Sequence, residues 1–122
     1  SYYCNHFRAA VRQPEHLEQV IASLRASFTR EGILKARAIE DRLMDETYLS
    51  SDYDLLPALT QLTMPALVLH SEQDFIPVQC ATHIAEAIPG ASLIVLPDCG
   101  HFSYLECPDA VRDAILTFFR GT

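Results

Sequence analysis

The chain has 122 residues, 49% of them hydrophobic and 20% charged, which is enough apolar material for a core and too much for a disordered tail. Sixteen acidic residues against nine basic ones leave a formal charge of -7, which argues against nucleic acid or an anionic membrane as a partner held by a basic patch. No run of about 18 uncharged apolar residues occurs and the opening SYYCNHFRAAV lacks the basic-then-apolar layout of a secretory signal, so neither a membrane span nor export is expected.

The first part of the chain reads as helices. Tyr3, Phe7, Ala10 and Val11 predict a short helix. Pro14 suits a first helical turn, and Leu17, Val20, Ile21, Leu24 and Phe28 then recur at helical spacing up to Gly32, which is placed to end that helix. Ala36, Ile39, Leu43 and Met44 predict another helix from Ile33 to about Glu46. YLSSDYDLLPALTQL reads as a connector whose Leu55, Leu56, Leu59 and Leu62 can seat it on an apolar surface.

From Met64 the pattern becomes strand, helix, strand, helix. PALVLHS is a short apolar run of the kind found in strands buried on both faces, and SLIVLP is a second one. Between them, Cys80, Ala81, Ile84, Ala85 and Ile88 form the apolar side of a helix over Val78 to Ile88 that PGA ends; Asp109 to Phe119 closes the chain. A strand-helix-strand unit of this length implies parallel pairing with a right-handed crossover. Two such strands cannot bury themselves, because parallel sheets need helices on both faces and further strands alongside. The fold class is therefore α/β and incomplete, with the remainder of the sheet expected N-terminal to Ser1 or from another chain.

Reactive groups in parallel α/β sheets gather at the carboxyl ends of the strands. Asp74, in HSEQDFIP, and His101, in PDCGHF, both fall there, and neighbouring strands would bring the two loops side by side. The carboxylate could then fix the imidazole tautomer while the other ring nitrogen takes a proton from a nucleophile. Gly100 is read as allowing a tight turn before the histidine. Asp98 is a rival acid but is most simply a turn former, and Glu106, ahead of Pro108 and Asp109 at a helix start, reads as structural. His6, His16, His70 and His83 have no matching constellation; His6 and His16 read as helix-surface residues, His70 as a strand-end residue and His83 as a helix residue.

Cys4, Cys80, Cys99 and Cys107 form no C-x-x-C pair and are expected as reduced thiols in a cytoplasmic protein. Cys99, His101 and Cys107 match no structural zinc spacing and lack a fourth ligand, so no metal is expected. Cys99, two positions from His101 in a turn, is poorly placed to serve as its nucleophile.

MPALVLHSEQDFIP followed by AEAIPGASLIVLPDCGHFSYLECPDAVRDAILTFF resembles the C-terminal third of an α/β-hydrolase-fold serine hydrolase, in the style of the prolyl iminopeptidase-like and related esterase branches. The resemblance covers about residues 53 to 120. It implies that Asp74 is the acid and His101 the base of a catalytic triad, with no metal or organic cofactor. It further implies that residues 1–50 are a portion of the helical cap and residues 51–122 the C-terminal part of the core. The family's G-x-S-x-G nucleophile elbow and its oxyanion loop do not occur in this sequence; Ser71 and Ser103 lie in no elbow, and Ser71 stands where the family usually has glycine. Cap residues Tyr2, Tyr3, Phe7 and Phe28 could line a pocket or pack the cap on the core. The expected activity is hydrolysis of an ester or a peptide bond in a small-molecule substrate, with the nucleophile serine outside this chain and little turnover by the chain alone. The competing expectation is a non-catalytic short module that forms a dimer or binds a partner through its open sheet edge.

Overall fold

A computed structural model describes residues 8–121. The short helix expected around Tyr3 to Val11 falls largely outside them; residues 8–13 form turns and bends that lead into the first described helix.

That helix, α1 (Pro14–Ser27), has proline in its first turn, where a missing N–H costs nothing, and buries Val20 and Ile21. It stops four residues before the expected end. Phe28 is extended, and Thr29 then caps a new helix, α2 (Arg30–Leu43), its side-chain oxygen accepting the Gly32 N–H at 3.0 Å. Gly32 therefore lies in the first turn of α2 and does not terminate α1. A π-helical turn (Met44–Tyr48) follows, and α3 (Leu56–Leu59) interrupts the connector. Of the four connector leucines, Leu59 and Leu62 are half-buried while Leu55 and Leu56 are exposed.

The strands lie where the apolar runs placed them. β1 (Leu67–Ser71) and β2 (Ser92–Leu96) pair in parallel, with Leu67 opposite Ser92 and Ser71 opposite Leu96, and α4 (Val78–Ala87) crosses between them. Gly90 adopts a left-handed φ of 76° after α4, a conformation that favours glycine in the turn leading to β2. After β2 come α5 (Ser103–Glu106) and α6 (Pro108–Gly121).

Packing follows from this order. The tightest burial is at Val20 and Ile21 of α1 and at Cys99 in the loop after β2, with Ala81, Ile88 and Leu96 around the strand-helix unit. α1 rests on α5, so the helical half meets the rest of the molecule beside the loop that carries His101. By contrast α2 buries none of its residues, leaving Ile33, Leu34, Ile39 and Leu43 exposed. Both strands remain only half covered along most of their length.

The cysteine expectation needs correction. Cys99 and Cys107 form a disulfide with their Cα atoms 6.1 Å apart, because the turn of α5 folds the chain back between them. Cys80 is free and exposed, while Cys4 lies outside the described residues. The cytoplasmic expectation drew on reduced thiols and on the lack of a secretory-signal pattern, and the first of these does not hold for Cys99 and Cys107. No described helix is long and apolar enough to cross a membrane.

Candidate active site

The pairing of β1 with β2 continues past the strand ends and builds the site. Glu72 N–H donates to the Leu96 carbonyl at 2.9 Å and Gln73 N–H to the Cys99 carbonyl at 3.0 Å, zipping the two following loops together. Three residues beyond β1 and five beyond β2, the chain thereby sets Asp74 against His101.

His101 Nδ1 stands 3.0 Å from both Asp74 Oδ1 and Oδ2. A carboxylate can only accept, so the contact selects the Nδ1–H tautomer and leaves Nε2 with a lone pair. The Asp74 side chain is 8% exposed and that of His101 35%, so the acid is held inside while the ring reaches the surface. Asp74 is oriented from behind, since its Oδ1 also accepts the Ile76 N–H at 2.9 Å. The Phe75 ring lies 4.7 Å from the imidazole and the Phe102 ring 5.3 Å from it, nearly perpendicular, which limits rotation of His101 about its side-chain bonds.

The other candidates separate from this pair. Asp98 has a left-handed φ of 55°, a turn conformation that aspartate tolerates better than most residues, and its N–H reaches Glu72 at 3.5 Å. Cys99 is fully buried and its sulfur is bonded to Cys107, so it offers neither a nucleophile nor a metal ligand in this state. His70 donates from Nε2 to the Ile76 carbonyl at 3.0 Å, tying β1 to the Asp74 loop from the other side. His16 is half-buried, not fully on the helix surface, and His83 is exposed on α4; His6 lies outside the described residues. Ser71 is buried at the end of β1 and Ser103 starts α5, neither on a nucleophile elbow. Tyr2, Tyr3 and Phe7 lie outside the described residues, and Phe28 is 45% exposed. Among the described residues no cluster of histidine, cysteine and acidic side chains could hold a metal ion.

Gly100 serves the site differently from the sequence expectation. Its φ is not in the left-handed region; instead it is buried in a contact too close for any side chain. A Cβ there would stand 2.6 Å from Glu106 Oε1 and 2.7 Å from both the Ala10 carbonyl oxygen and the Arg12 nitrogen. Glu106 is buried at this junction, accepting the N–H groups of Arg12 at 2.7 Å and Gln13 at 3.1 Å through Oε2. Its partners are backbone groups more than 90 positions away, which side-chain patterns do not reveal. The available hint was an acidic residue inside the otherwise uncharged FSYLEC stretch.

Comparison with known proteins bears on the fold and the family. Over 113 residues the chain is 28% identical to a 2-hydroxy-6-oxononadienedioate/2-hydroxy-6-oxononatrienedioate hydrolase of Pseudomonas sp, covering 92% of this chain and 32% of that protein. Over 57 residues it is 35% identical to the pimeloyl-acyl-carrier-protein methyl ester esterase of Nitrosomonas europaea, covering 46% of this chain and 23% of that one. The crystal structure of a serine hydrolase involved in carbazole degradation, CarC, superposes with a TM-score of 0.65 at 25% identity, over 77% of this chain and 36% of that chain. The hydrolase BphD from Rhodococcus sp. strain RHA1 shares the fold with a TM-score of 0.75 at 24% identity, over 97% and 43% of the two chains. The chain thus spans between 23% and 32% of the length of the curated relatives it matches. With residues 6–114 matching the model of that family, and a parallel strand-helix-strand unit that carries an acid and a histidine at its carboxyl edge, the chain belongs to the alpha/beta hydrolase family.

Proposed function

We propose that this chain supplies the acid and base of a serine hydrolase that cleaves a carbonyl substrate, an ester or an amide, with the nucleophile serine and the oxyanion donors outside the 122 residues. The carrying observation is the contact of His101 Nδ1 with both carboxylate oxygens of Asp74 at 3.0 Å. In this reading His101 Nε2 takes the serine proton as the hydroxyl attacks the carbonyl carbon, then returns it to the leaving group. Asp74 holds the tautomer and stabilises the imidazolium formed in between. Residues 1–50 are part of a cap over the substrate and residues 51–122 part of the core. The similarity to the 2-hydroxy-6-oxononadienedioate hydrolase, which covers 92% of this chain, adds a 2-hydroxy-6-oxo-dienoate, a keto acid with neither an ester nor an amide bond, as the alternative carbonyl substrate to test.

The test uses the full-length gene product that carries this sequence, assayed on p-nitrophenyl esters and on a 2-hydroxy-6-oxo-dienoate. His101→Ala and Asp74→Ala should each lower turnover by about a thousandfold or more. Turnover near that of the parent in either variant, with the fold intact, rejects the assignment. The second reading, a non-catalytic module that associates through uncovered apolar surface, is favoured by the exposed Ile33, Leu34 and Ile39 of α2. It predicts a discrete dimer of the 122-residue chain.

A further inference from the structure

The histidine loop is held by a ring of contacts that the catalytic pair does not explain. His101 N–H donates to the Ala10 carbonyl at 2.7 Å. Two and three residues further on, the Arg12 and Gln13 N–H groups donate to Oε2 of Glu106, which lies five residues after His101. The circuit closes through α5, where Glu106 N–H donates to the Phe102 carbonyl at 3.0 Å. Gly100 sits at the centre, and its missing side chain is what lets the two strands of the circuit touch.

Burial of Glu106 makes sense only within this circuit. The residue is 6% exposed, and Oε1 has no hydrogen-bond partner among the described residues, standing against Gly100 instead. Burying a carboxyl group with one oxygen unsatisfied is unfavourable, and the two backbone donors on Oε2 offset that cost. A merely structural surface role would put this side chain in water. What Oε2 holds is the segment whose carbonyl anchors the backbone of His101, and Gln13 is also the residue from which α1 starts.

We propose that Glu106 is a positioning residue: through Arg12 and Gln13 it fixes the Ala10–Gln13 segment, and through the Ala10 carbonyl it fixes His101 against Asp74. The same carboxyl group sets where α1 departs, so the helical half and the histidine are held in one register. Its relevance to turnover rests on the catalytic reading above; its effect on His101 does not.

The two can be separated in the full-length gene product labelled with 15N-histidine, the His101 ring signal being assigned by its loss in His101→Gln. Glu106→Ala should displace or broaden that signal and lower kcat by about a hundredfold with little change in KM, the scale expected when a reacting group is misplaced by about an ångström. Glu106→Gln, which keeps an acceptor for the two N–H groups, should restore most of both. A folded Glu106→Ala protein with an unmoved His101 signal overturns the proposal. So does a moved signal with unchanged kcat in an enzyme that His101→Ala inactivates. If Glu106→Ala does not fold, Glu106→Asp, one methylene too short to reach both donors, is read in the same way; failure of both to fold makes Glu106 a general fold element and overturns the positioning role. Retained activity in His101→Ala defeats the catalytic reading alone, since the ring signal still reports whether Glu106 positions the histidine.

Discussion

At the scale of single residues, the candidate site combines one contact that side-chain patterns announce with others that they conceal. Asp74 and His101 could be paired on paper because each follows a short apolar strand, and parallel neighbours put those ends together. The Cys99–Cys107 bridge could not, because a spacing of eight says nothing about distance until α5 bends the chain. This bridge encloses His101 and Glu106 in one small covalent loop. Closing a loop of that length removes denatured-state entropy worth about 2.5 kcal/mol at 25 °C. Cys107→Ser should therefore lower the stability of the chain by about 2 kcal/mol in urea titration. Alkylation of the unfolded, unreduced protein should leave Cys99 and Cys107 unlabelled and linked in one peptide by mass spectrometry; finding label on both sets the bridge aside.

The elements show why helix limits were harder to read than helix existence. Apolar spacing ran on through Phe28, so α1 and α2 looked divided at Gly32, whereas the break is made by the Thr29 side chain capturing the Gly32 N–H. A local hydrogen bond thus outweighed the apolar period. Thr29→Ala removes that acceptor and should lower stability by about 1 kcal/mol, the usual worth of a threonine cap, with a matching loss of helical circular dichroism at 222 nm. Thr29→Asp should recover it, because aspartate caps as well and favours a helix N-terminus. An unchanged midpoint in Thr29→Ala would show that α2 takes its stability from packing, which its lack of buried residues speaks against. The strands were easier: a run such as LVLHS, bounded by Pro65 and the turn before Pro77, has few other places to go.

For the whole molecule the governing fact is uncovered apolar surface. Leu34 is 64% exposed, Ile39 60% and Phe119 70%, and a two-stranded parallel sheet sits half covered between helices. Sheets of this type are stable when helices cover both faces and further strands flank them. Together with the half-covered sheet, these exposed side chains offer apolar surface that another body could bury. The chain's share of its curated relatives, 32% at most among those compared above, makes the remainder of a hydrolase core the first candidate for that body. The chain expressed alone should accordingly bind the dye ANS and change apparent mass with concentration. Joined to or co-expressed with the upstream hydrolase segment that the proposed function calls for, it should do neither. A single sharp species of 13.7 kDa at all concentrations, without dye binding, would mean that the half-covered sheet is sufficient as it stands. A stable dimer of the isolated chain that the upstream segment fails to displace would transfer the exposed face of α2 from the hydrolase core to a second copy.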